Sequence, residues 1–235
     1  MASCGTSNGT NGNPVTSLDL VADAVAAIAA GRPVLVVDNA NRENEGDIIF
    51  AAQFATPALM GWTIRYSSGV VCVAMSGARA DALALPPMVE VNEDAKSTAY
   101  TVSCDAATGV NTGISAWDRA RTAAVLAAPG SGPSDLTRPG HMFPLRAVEG
   151  GVKQRPGHTE AAVELCRLAR CEPVGVIAEV IHDDGAMMRL GALRSFADAH
   201  GCLLISIEEL TEYLAAGEAD TDAAGFGSSA HARVR

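Results

Sequence analysis

Several features that would point to a function class are scarce or missing in this sequence. Only two of its 17 basic residues are lysines, aromatic residues make up 4% of the chain, and the net charge is −10. Because no basic stripe interrupts this acidic chain, we expect no nucleic-acid partner. No apolar run reaches membrane-spanning length, so we expect no membrane partner either. The Gly-x-Gly-x-x-Gly and Walker patterns are missing as well, and a nucleotide cofactor is therefore not indicated.

The two ends of the chain differ in composition from its centre. Residues 1–16 are polar and have no basic segment followed by an apolar one, unlike a secretory leader. We expect residues 1–16 to form a disordered arm and residues 217–235 a disordered tail. One folded domain is expected over residues 17–216, in a cytoplasmic protein. The six dispersed cysteines do not predict a disulfide framework.

Helical and extended patterns alternate along the chain, which predicts a mixed α/β fold, a single compact domain with a mixed sheet covered by helices. The apolar runs are short and continuous, as is typical of strands buried on both faces. Strands are predicted at 34–38, 48–52, 70–75, 99–104, 143–147, 174–180 and 203–207. Helices are predicted at 17–30, 56–68, 115–127, from 159 onwards, 190–200 and 208–216. Residues 129–140 are rich in Gly, Pro and Ser and predict a loop.

The most informative segment is Arg42-Glu43-Asn44-Glu45-Gly46-Asp47, which follows the apolar run Val34–Val37. It places three carboxylates and an arginine within six residues. In an extended segment, Glu43 and Glu45 would point to the same side. Paired carboxylates can hold a hard cation through oxygen, or they can divide acid and base roles between them. A solvated acidic turn is the simpler alternative.

Two Arg-Pro-Gly-His tetrapeptides form the second unusual feature, at Arg138–His141 and at Arg155–His158. Each sets a cation and an imidazole at the ends of a stiff turn, because proline fixes φ and glycine allows positive φ. The second tetrapeptide precedes an apolar-periodic helix for which Thr159 is the predicted N-cap. Free N–H groups, a threonine hydroxyl and a nearby arginine are typical of a phosphate site.

Two buried positions complete the set of candidates. Glu179 lies between apolar neighbours at the end of a predicted strand, so its carboxylate should be paired, bound to a metal or raised in pKa. The following Asp183-Asp184-Gly185 predicts a turn. Cys72 lies in the apolar run 70–74 and is interpreted as a buried strand cysteine.

Together these segments resemble the 3,4-dihydroxy-2-butanone 4-phosphate synthases of riboflavin biosynthesis, over residues 17–214. The motifs that carry the resemblance are 42–47, 112–115 with 118–119, 138–141, 157–160, and Glu179 ahead of 183–185. The resemblance implies a lyase that converts D-ribulose 5-phosphate into 3,4-dihydroxy-2-butanone 4-phosphate and formate. It also implies one or two magnesium or manganese ions and a homodimer with its active sites near the subunit boundary.

The same resemblance assigns roles to individual residues. It implies the metal ligands Glu43 and His158. It implies the substrate-binding positions Arg42, Glu43, Asp47, Thr112, Arg155, Gly157, His158, Thr159 and Glu179, with Arg155 and Thr159 mainly on the phosphate. It implies catalytic positions at His141 and Glu179, and further active-site positions at Glu45, Asp38 and Cys72. The first proton-abstracting base stays open among Glu45, Glu179 and Asp38.

The chain also departs from the family pattern. Asn39-Ala40-Asn41 replaces a more acidic lead-in, and we expect this change either to weaken the binding of a second metal ion or to loosen the loop. Tyr100 stands where phenylalanine is usual. Two alternatives are a different metal-dependent sugar-phosphate lyase or isomerase, and a metabolite-binding protein without turnover. Many relatives carry a second, C-terminal cyclohydrolase domain, whereas this chain ends at Arg235, so we expect a monofunctional protein.

Overall fold

Strands and helices alternate along residues 17–226, the part of the chain that the computed structural model describes, with side chains described for residues 17–217. The strands are β1 Val34–Val37, β2 Gly46–Ala51, β3 Cys72–Ser76, β4 Cys104–Ala106, β5 Leu136–Ala147, β6 Val174–Glu179 and β7 Leu203–Ser206. The α-helices are α1 Val21–Ala29, α2 Pro57–Tyr66, α3 Gly77–Ala82, α4 Ala116–Ala127, α5 Gly151–Gln154, α6 His158–Leu168, α7 Leu190–His200 and α8 Ile207–Phe226. Short 3-10 turns lie at Ala52–Phe54 and Pro133–Asp135.

All seven strands form one sheet in the order β4-β5-β3-β6-β2-β1-β7. The pairs β1–β7 and β3–β5 are parallel, and the other neighbouring pairs are antiparallel. The predicted mixed α/β fold with a mixed sheet is therefore confirmed.

Both faces of the sheet are covered, which explains the continuous apolar runs of the sequence. Leu35 and Val37 of β1 join one core cluster, whereas Val34 and Val36 join the other. Since neighbouring strand residues point to opposite faces, each apolar run supplies two cores at once. Helices α2, α4 and α7 cover the first face, and α1, α6 and α8 cover the second.

One close approach sets the height of α6 above the sheet. A Cβ atom on Gly175 of β6 would lie 2.9 Å from the Cβ of Ala162 in α6. Because only glycine leaves room for this contact, α6 packs directly on β6. The first residue of α6, His158, therefore lies near the end of the sheet at which β6 ends.

Several predicted boundaries are wrong. The strand predicted at 99–104 is reduced to isolated bridges at Tyr100 and Thr101. The loop predicted at 129–140 ends early, because β5 begins at Leu136 and pairs its first half with β4. The Gly, Pro and Ser residues of this stretch predicted a loop, but pairing with the distant strand β4 makes it a strand.

The first helix begins at Val21 and not at Ser17, which does not cap it. Asp19 instead exchanges two hydrogen bonds with Leu204 of β7, one through its backbone N–H and one through its carboxylate, both at 2.8 Å. Tertiary pairing therefore displaces the start of this helix.

At the other end, α8 runs to Phe226, past the helix end predicted at Ala216 and into the predicted tail. The predicted arm at 1–16 and the last residues of the predicted tail, 227–235, lie outside the described residues. Within the described part of the chain, no helix is both long enough and apolar enough to cross a membrane.

Candidate active site

A polar cavity of about 210 Å³ lies where β6 ends and β2 begins. Asp47 and Glu179 are register partners on these antiparallel strands, so their side chains share one face of the sheet. His158 approaches the same face from α6. Nine of the predicted site residues line the cavity: Arg42, Glu43, Glu45, Asp47, Cys72, Arg155, His158, Thr159 and Glu179.

The loop that carries the acidic segment is organised by Asp38. Its Oδ2 accepts the backbone N–H of Glu43 at 2.9 Å and a hydrogen bond from Arg42 Nη1 at 3.0 Å. Its Oδ1 accepts the backbone N–H of Glu45 at 2.9 Å. Since both oxygens are engaged and the side chain is fully buried, this arrangement favours a positioning role over that of a free base.

The loop is also held from outside. Arg189 Nη1 donates to the carbonyl of Glu43 at 2.9 Å and to that of Asn44, and Lys96 Nζ donates to the carbonyl of Arg42 at 2.6 Å. Asn44 has a φ of +56°, so the loop is not the extended segment considered from the sequence. Glu43 and Glu45 nevertheless both reach the cavity.

His158 presents one defined nitrogen to the cavity. Its Nε2 lies 3.1 Å from the carbonyl oxygen of Val36, which can only accept, so Nε2 carries a proton. The other nitrogen, Nδ1, lies 3.6 Å from Asp47 Oδ1 and 3.8 Å from Glu43 Oε2. When the ring is neutral, the Nδ1 lone pair is therefore directed at the carboxylates, as in a ligand whose second nitrogen is fixed by the protein.

The pKa values follow from this crowding. Contact with His158, together with Arg42, outweighs burial and lowers the pKa of Glu43 to about 2. Burial opposes the charged ring of His158, but Asp47 and Glu43 outweigh it and raise its pKa to about 9. Burial raises the pKa of Asp47 to about 7 even though His158 opposes the shift. Burial and the charge of Glu43 also raise the pKa of Glu45.

The donor set fits a hard divalent cation. Asp38, Glu43 and His158 can each offer a ligand atom, and these atoms lie within 4.8 Å of one another. Asp47 Oδ1 is buried without a hydrogen-bond partner, and such an oxygen is costly unless a cation or a proton satisfies it. Carboxylate oxygens with one imidazole suit magnesium or manganese. The structure thus brings the predicted ligands Glu43 and His158 together.

Next to this centre lies the N-terminus of α6. The residue that caps it is Gly157 and not Thr159, which is the second residue of the helix. A Cβ at Gly157 would collide with Arg155 Nη1 and lie 2.9 Å from Glu160 Oε2 and 3.0 Å from Arg42 Nη2. Glycine therefore lets two guanidinium groups approach the helix end, although Arg155 is paired with Glu160 and Arg42 with Asp38 and Glu43. The helix dipole and the N–H groups of the first turn are what favour an anion here.

Arg155 is fixed before any ligand binds. Its Nη1 donates to the buried carboxylate of Glu160 at 2.6 Å, and its Nη2 donates to Thr98 Oγ1 at 3.2 Å. Nη2 also donates to the carbonyl of Lys96 at 3.1 Å. Because these contacts tie Arg155 to the 94–98 loop, part of its hydrogen-bonding capacity is already used.

Glu179 and Cys72 line the cavity from β6 and β3. Ser68 Oγ donates to Glu179 Oε2 at 2.7 Å, so this carboxylate is paired, which is one of the alternatives considered from the sequence. Burial strongly raises the pKa of the Cys72 thiol. Cys72 is therefore a neutral wall group and a poor nucleophile.

His141 and Thr112 are separated from the other predicted residues. Within the described part of the chain, neither lines the cavity. His141 lies two residues before Phe143, which pairs with Cys72, and so it belongs to the same face of the sheet. Since β5 and β6 are separated by β3, its backbone lies about 10 Å from that of Glu179.

Sequence reasoning missed several residues around the site. Ser68, Asp94 and Thr98 line or support the cavity, and Arg189 holds the acidic loop. None of them stands in a motif of its own, and only the fold brings them near. Tyr100, noted as a departure from the family pattern, lines the cavity as well, and burial raises its pKa to about 12.

Fold and site together define a mixed α/β protein with donor groups that suit a hard cation beside a helix N-terminus that two arginines approach. The profile of the 3,4-dihydroxy-2-butanone 4-phosphate synthase family matches residues 22–213. The chain belongs to this family.

Relatives and solved structures agree with this assignment. The riboflavin biosynthesis protein RibBA of Salinispora arenicola is 54% identical over 199 residues, which cover 85% of this chain and 47% of the relative. The RibBA protein of Rhodococcus jostii is 56% identical over 198 residues, which cover 83% of this chain and 48% of the relative. The chain spans about half the length of these curated relatives, so the expectation of a monofunctional protein stays a prediction.

Two crystal structures share the fold. A 3,4-dihydroxy-2-butanone 4-phosphate synthase in complex with two magnesium ions superposes with a TM-score of 0.83 at 43% identity, covering 86% of this chain and 99% of the other. The synthase of Candida albicans superposes with a TM-score of 0.78 at 48% identity, covering 84% and 98%.

Asp47 Oδ1 is buried without a hydrogen bond, which generates a stability prediction for the cation-free protein. Since burial raises its pKa from 3.8 to about 7, the stabilisation belongs to the protonated carboxyl, is complete below pH 3.8 and is lost as the pH rises through 7. Asp47→Asn keeps a neutral group, so at pH 8 the variant should be more stable by about 1–3 kcal/mol. Urea denaturation at pH 8 and pH 5 should show the advantage shrinking at the lower pH.

Asp38→Asn is the matched control. Its carboxylate accepts three hydrogen bonds, and an amide would turn an N–H towards a donor, so this variant should lose about 1–3 kcal/mol. An Asp47→Asn protein that is less stable than the parent at pH 8 would show that the Asp47 oxygen is satisfied.

Proposed function

We propose that this chain converts D-ribulose 5-phosphate into 3,4-dihydroxy-2-butanone 4-phosphate and formate, a step of riboflavin biosynthesis. The observation that carries the proposal is the meeting of Glu43, His158 Nδ1 and an Asp47 oxygen without a hydrogen bond in one cavity, next to a helix end that two arginines approach. The family match over residues 22–213 supports it.

The cation in this proposal is magnesium or manganese, held by Glu43 and His158. When bound, it polarises substrate oxygens and stabilises negative charge next to a carbonyl. Asp38 can offer a ligand atom within 4.8 Å of those of Glu43 and His158, and Asp47 Oδ1 lies 3.6 Å from His158 Nδ1, so both carboxylates are placed to serve one or two ions. The relative that was crystallised with two magnesium ions favours two. Glu43 is prepared for this role, because its low pKa keeps it ionised at neutral pH.

The phosphate of the substrate is assigned to the N-terminus of α6. Arg42 and Arg155 both approach Gly157 at this end, and Thr159 lines the same cavity. An anion here would be stabilised by two cations and by the helix dipole. The sugar would then extend from the helix end towards Glu43 and Glu179.

Proton transfer is assigned to the carboxylates that remain accessible and to His141, the catalytic position that the family resemblance implies. Glu45 is the stronger candidate for the first base, because its raised pKa makes it more basic than an ordinary glutamate. Glu179, oriented by Ser68, is suited to a second transfer. Asp38 acts through the loop and not on the substrate, and Cys72 stays a neutral wall group.

Formate release tests the proposal. The protein incubated with ribulose 5-phosphate and magnesium should release formate, measured with a coupled formate dehydrogenase assay. His158→Asn should lower kcat/KM by about 100-fold or more, since it removes both a cation ligand and the bond to Val36. His200→Asn, on the exposed end of α7, is the matched control and should keep full activity.

Two other outcomes would contradict the proposal. An isomeric sugar phosphate without formate would identify a different lyase or isomerase on this scaffold. Binding of the substrate without any turnover would identify a metabolite-binding protein.

Cation binding should release protons. The pKa of His158 is raised to about 9 in the cation-free site, so at pH 7.5 most molecules must lose a proton before Nδ1 can bind a cation. Affinity for magnesium should therefore rise between pH 7 and pH 9. Calorimetric titrations in two buffers of different ionisation enthalpy should give a release of up to about one proton per site. Identical apparent enthalpies in both buffers would contradict it.

We also propose that the protein is a cytoplasmic homodimer whose active sites lie near the subunit boundary. Three large apolar side chains are exposed on one region: Val70 by 44%, Ile114 by 51% and Trp117 by 66%. Arg119 Nη1 donates to the carbonyl of Gly69, which places the start of α4 beside Val70. Such a patch is typical of a surface covered by a partner, and Thr112 borders it in the sequence.

Complementation tests whether two copies share a site. Glu43→Gln and His141→Gln should each be inactive, but a mixture that is unfolded and refolded together should regain up to about a quarter of the parent activity if His141 serves the partner's cavity. Formate release is the measurement. A refolded mixture that stays inactive would mean that each copy uses its own His141.

A further inference from the structure

A second polar cluster lies outside the cavity, where β4 meets the first half of β5. Asp105 Oδ2 lies 2.7 Å from His141 Nδ1, and Asp105 Oδ1 accepts the backbone N–H of His141 at 2.9 Å. One carboxylate thus holds both the ring and the main chain of the same residue. The Asp105 side chain is only 10% exposed, whereas that of His141 is 41% exposed, so the imidazole is anchored at one nitrogen and open to solvent elsewhere.

Two glycines make the contact possible. At Gly113, whose φ is +92°, a Cβ would collide with Asp105 Oδ2 and lie 2.6 Å from His141 Nδ1. At Gly140, a Cβ would collide with the backbone of Cys104. Because no side chain fits at either position, the pair is enclosed by a loop on one side and by β4 on the other.

The enclosing loop is itself fixed. Asp118 accepts the backbone N–H groups of Asn111 at 3.1 Å and Gly113 at 3.0 Å, and its own N–H donates to Ser115 Oγ at 3.0 Å. Within the described part of the chain, no residue of the motif formed by 112–115 and 118–119 lines the cavity. The hydrogen bonds of Asp118 instead hold Gly113 against Asp105 and His141, so the motif positions this pair.

This geometry determines which ring nitrogen is free. A carboxylate can only accept hydrogen bonds, so the nitrogen that faces Asp105, Nδ1, carries a proton. The lone pair of the neutral ring is then on Nε2, which the contact with Asp105 leaves free. We propose that Asp105 is a positioning residue that locks His141 in the Nδ1–H tautomer and leaves Nε2 as the atom that accepts and returns a proton. This inference rests on the proposed function, in which His141 is a catalytic residue.

Asp105→Asn tests the inference with almost no change in volume. The backbone N–H of His141 needs an acceptor, so the amide oxygen must face it and the amide NH₂ must face Nδ1. Nδ1 then becomes the acceptor, and the proton moves to Nε2. Histidine ring ¹⁵N NMR should show this tautomer reversal, with His141→Gln identifying the signal. In the formate assay, kcat should fall by about 100-fold or more while KM changes by less than about threefold.

Asp81→Asn is the matched control, since Asp81 is 70% exposed and pairs with Arg146 at 2.7 Å. It should leave both the ring signals and kcat unchanged. An unchanged His141 tautomer in Asp105→Asn, or a kcat within about twofold of the parent, would overturn the inference. So would a parent protein whose His141 carries its proton on Nε2, a result that needs no variant to fold. A parent that releases no formate would overturn the proposed function instead, and the NMR result would still decide whether Asp105 sets the tautomer.

Discussion

The site depends on a balance of charge around one buried imidazole. Glu43 and Asp47 converge on His158 Nδ1 from a loop and a strand. Burial works against ionisation of Asp47 and of the imidazole, so the cluster is favourable only when a proton or a cation compensates the carboxylates. The same balance of charge and burial links the low pKa of Glu43, the high pKa of His158 and the Asp47 oxygen that lacks a hydrogen bond. A hard cation would compensate the two carboxylates, replace the proton on His158 Nδ1 and give the Asp47 oxygen a partner. We therefore regard the cation as the central element of the function.

The surrounding fold keeps this costly arrangement in place. Asp38 holds the acidic loop by accepting hydrogen bonds from two of its backbone N–H groups, and the carbonyl of Val36 holds Nε2 of His158. The contact of Gly175 with Ala162 sets α6 against the sheet, and Gly157 lets two arginines reach its N-terminus. Helices, strands and a loop held by hydrogen bonds thus keep the functional groups in place, as preorganised binding requires.

The pair Asp105 and His141 follows the same logic at a second place on the sheet. A buried carboxylate orients an imidazole, and glycines make room for the contact. The two histidines differ in which nitrogen the protein holds: Nε2 in His158, held by a carbonyl, and Nδ1 in His141, held by a carboxylate. One is thereby suited to a cation and the other to proton transfer.

Much of this could be predicted from the sequence. Apolar periodicity gave the buried strands such as β1 and β6, and local caps gave helices such as α2 and α4, because these depend on neighbours within a few residues. Charge next to an apolar run marked the acidic loop, and nine of the predicted site residues do share one cavity.

Other features depend on contacts distant in the sequence, and these only the tertiary structure decided. The first half of β5 exists because β4 pairs with it, and the cap position of α6 has no room for a side chain because Arg155, Glu160 and Arg42 occupy the space around Gly157. The tautomer of each histidine is likewise set by a partner, Val36 or Asp105, that lies 122 or 36 residues away. The sequence by itself determined which functional groups are present and which segments are buried. Folding decided which lone pairs and protons face one another, because hydrogen bonds and charges act over a few ångströms of space and not along the chain.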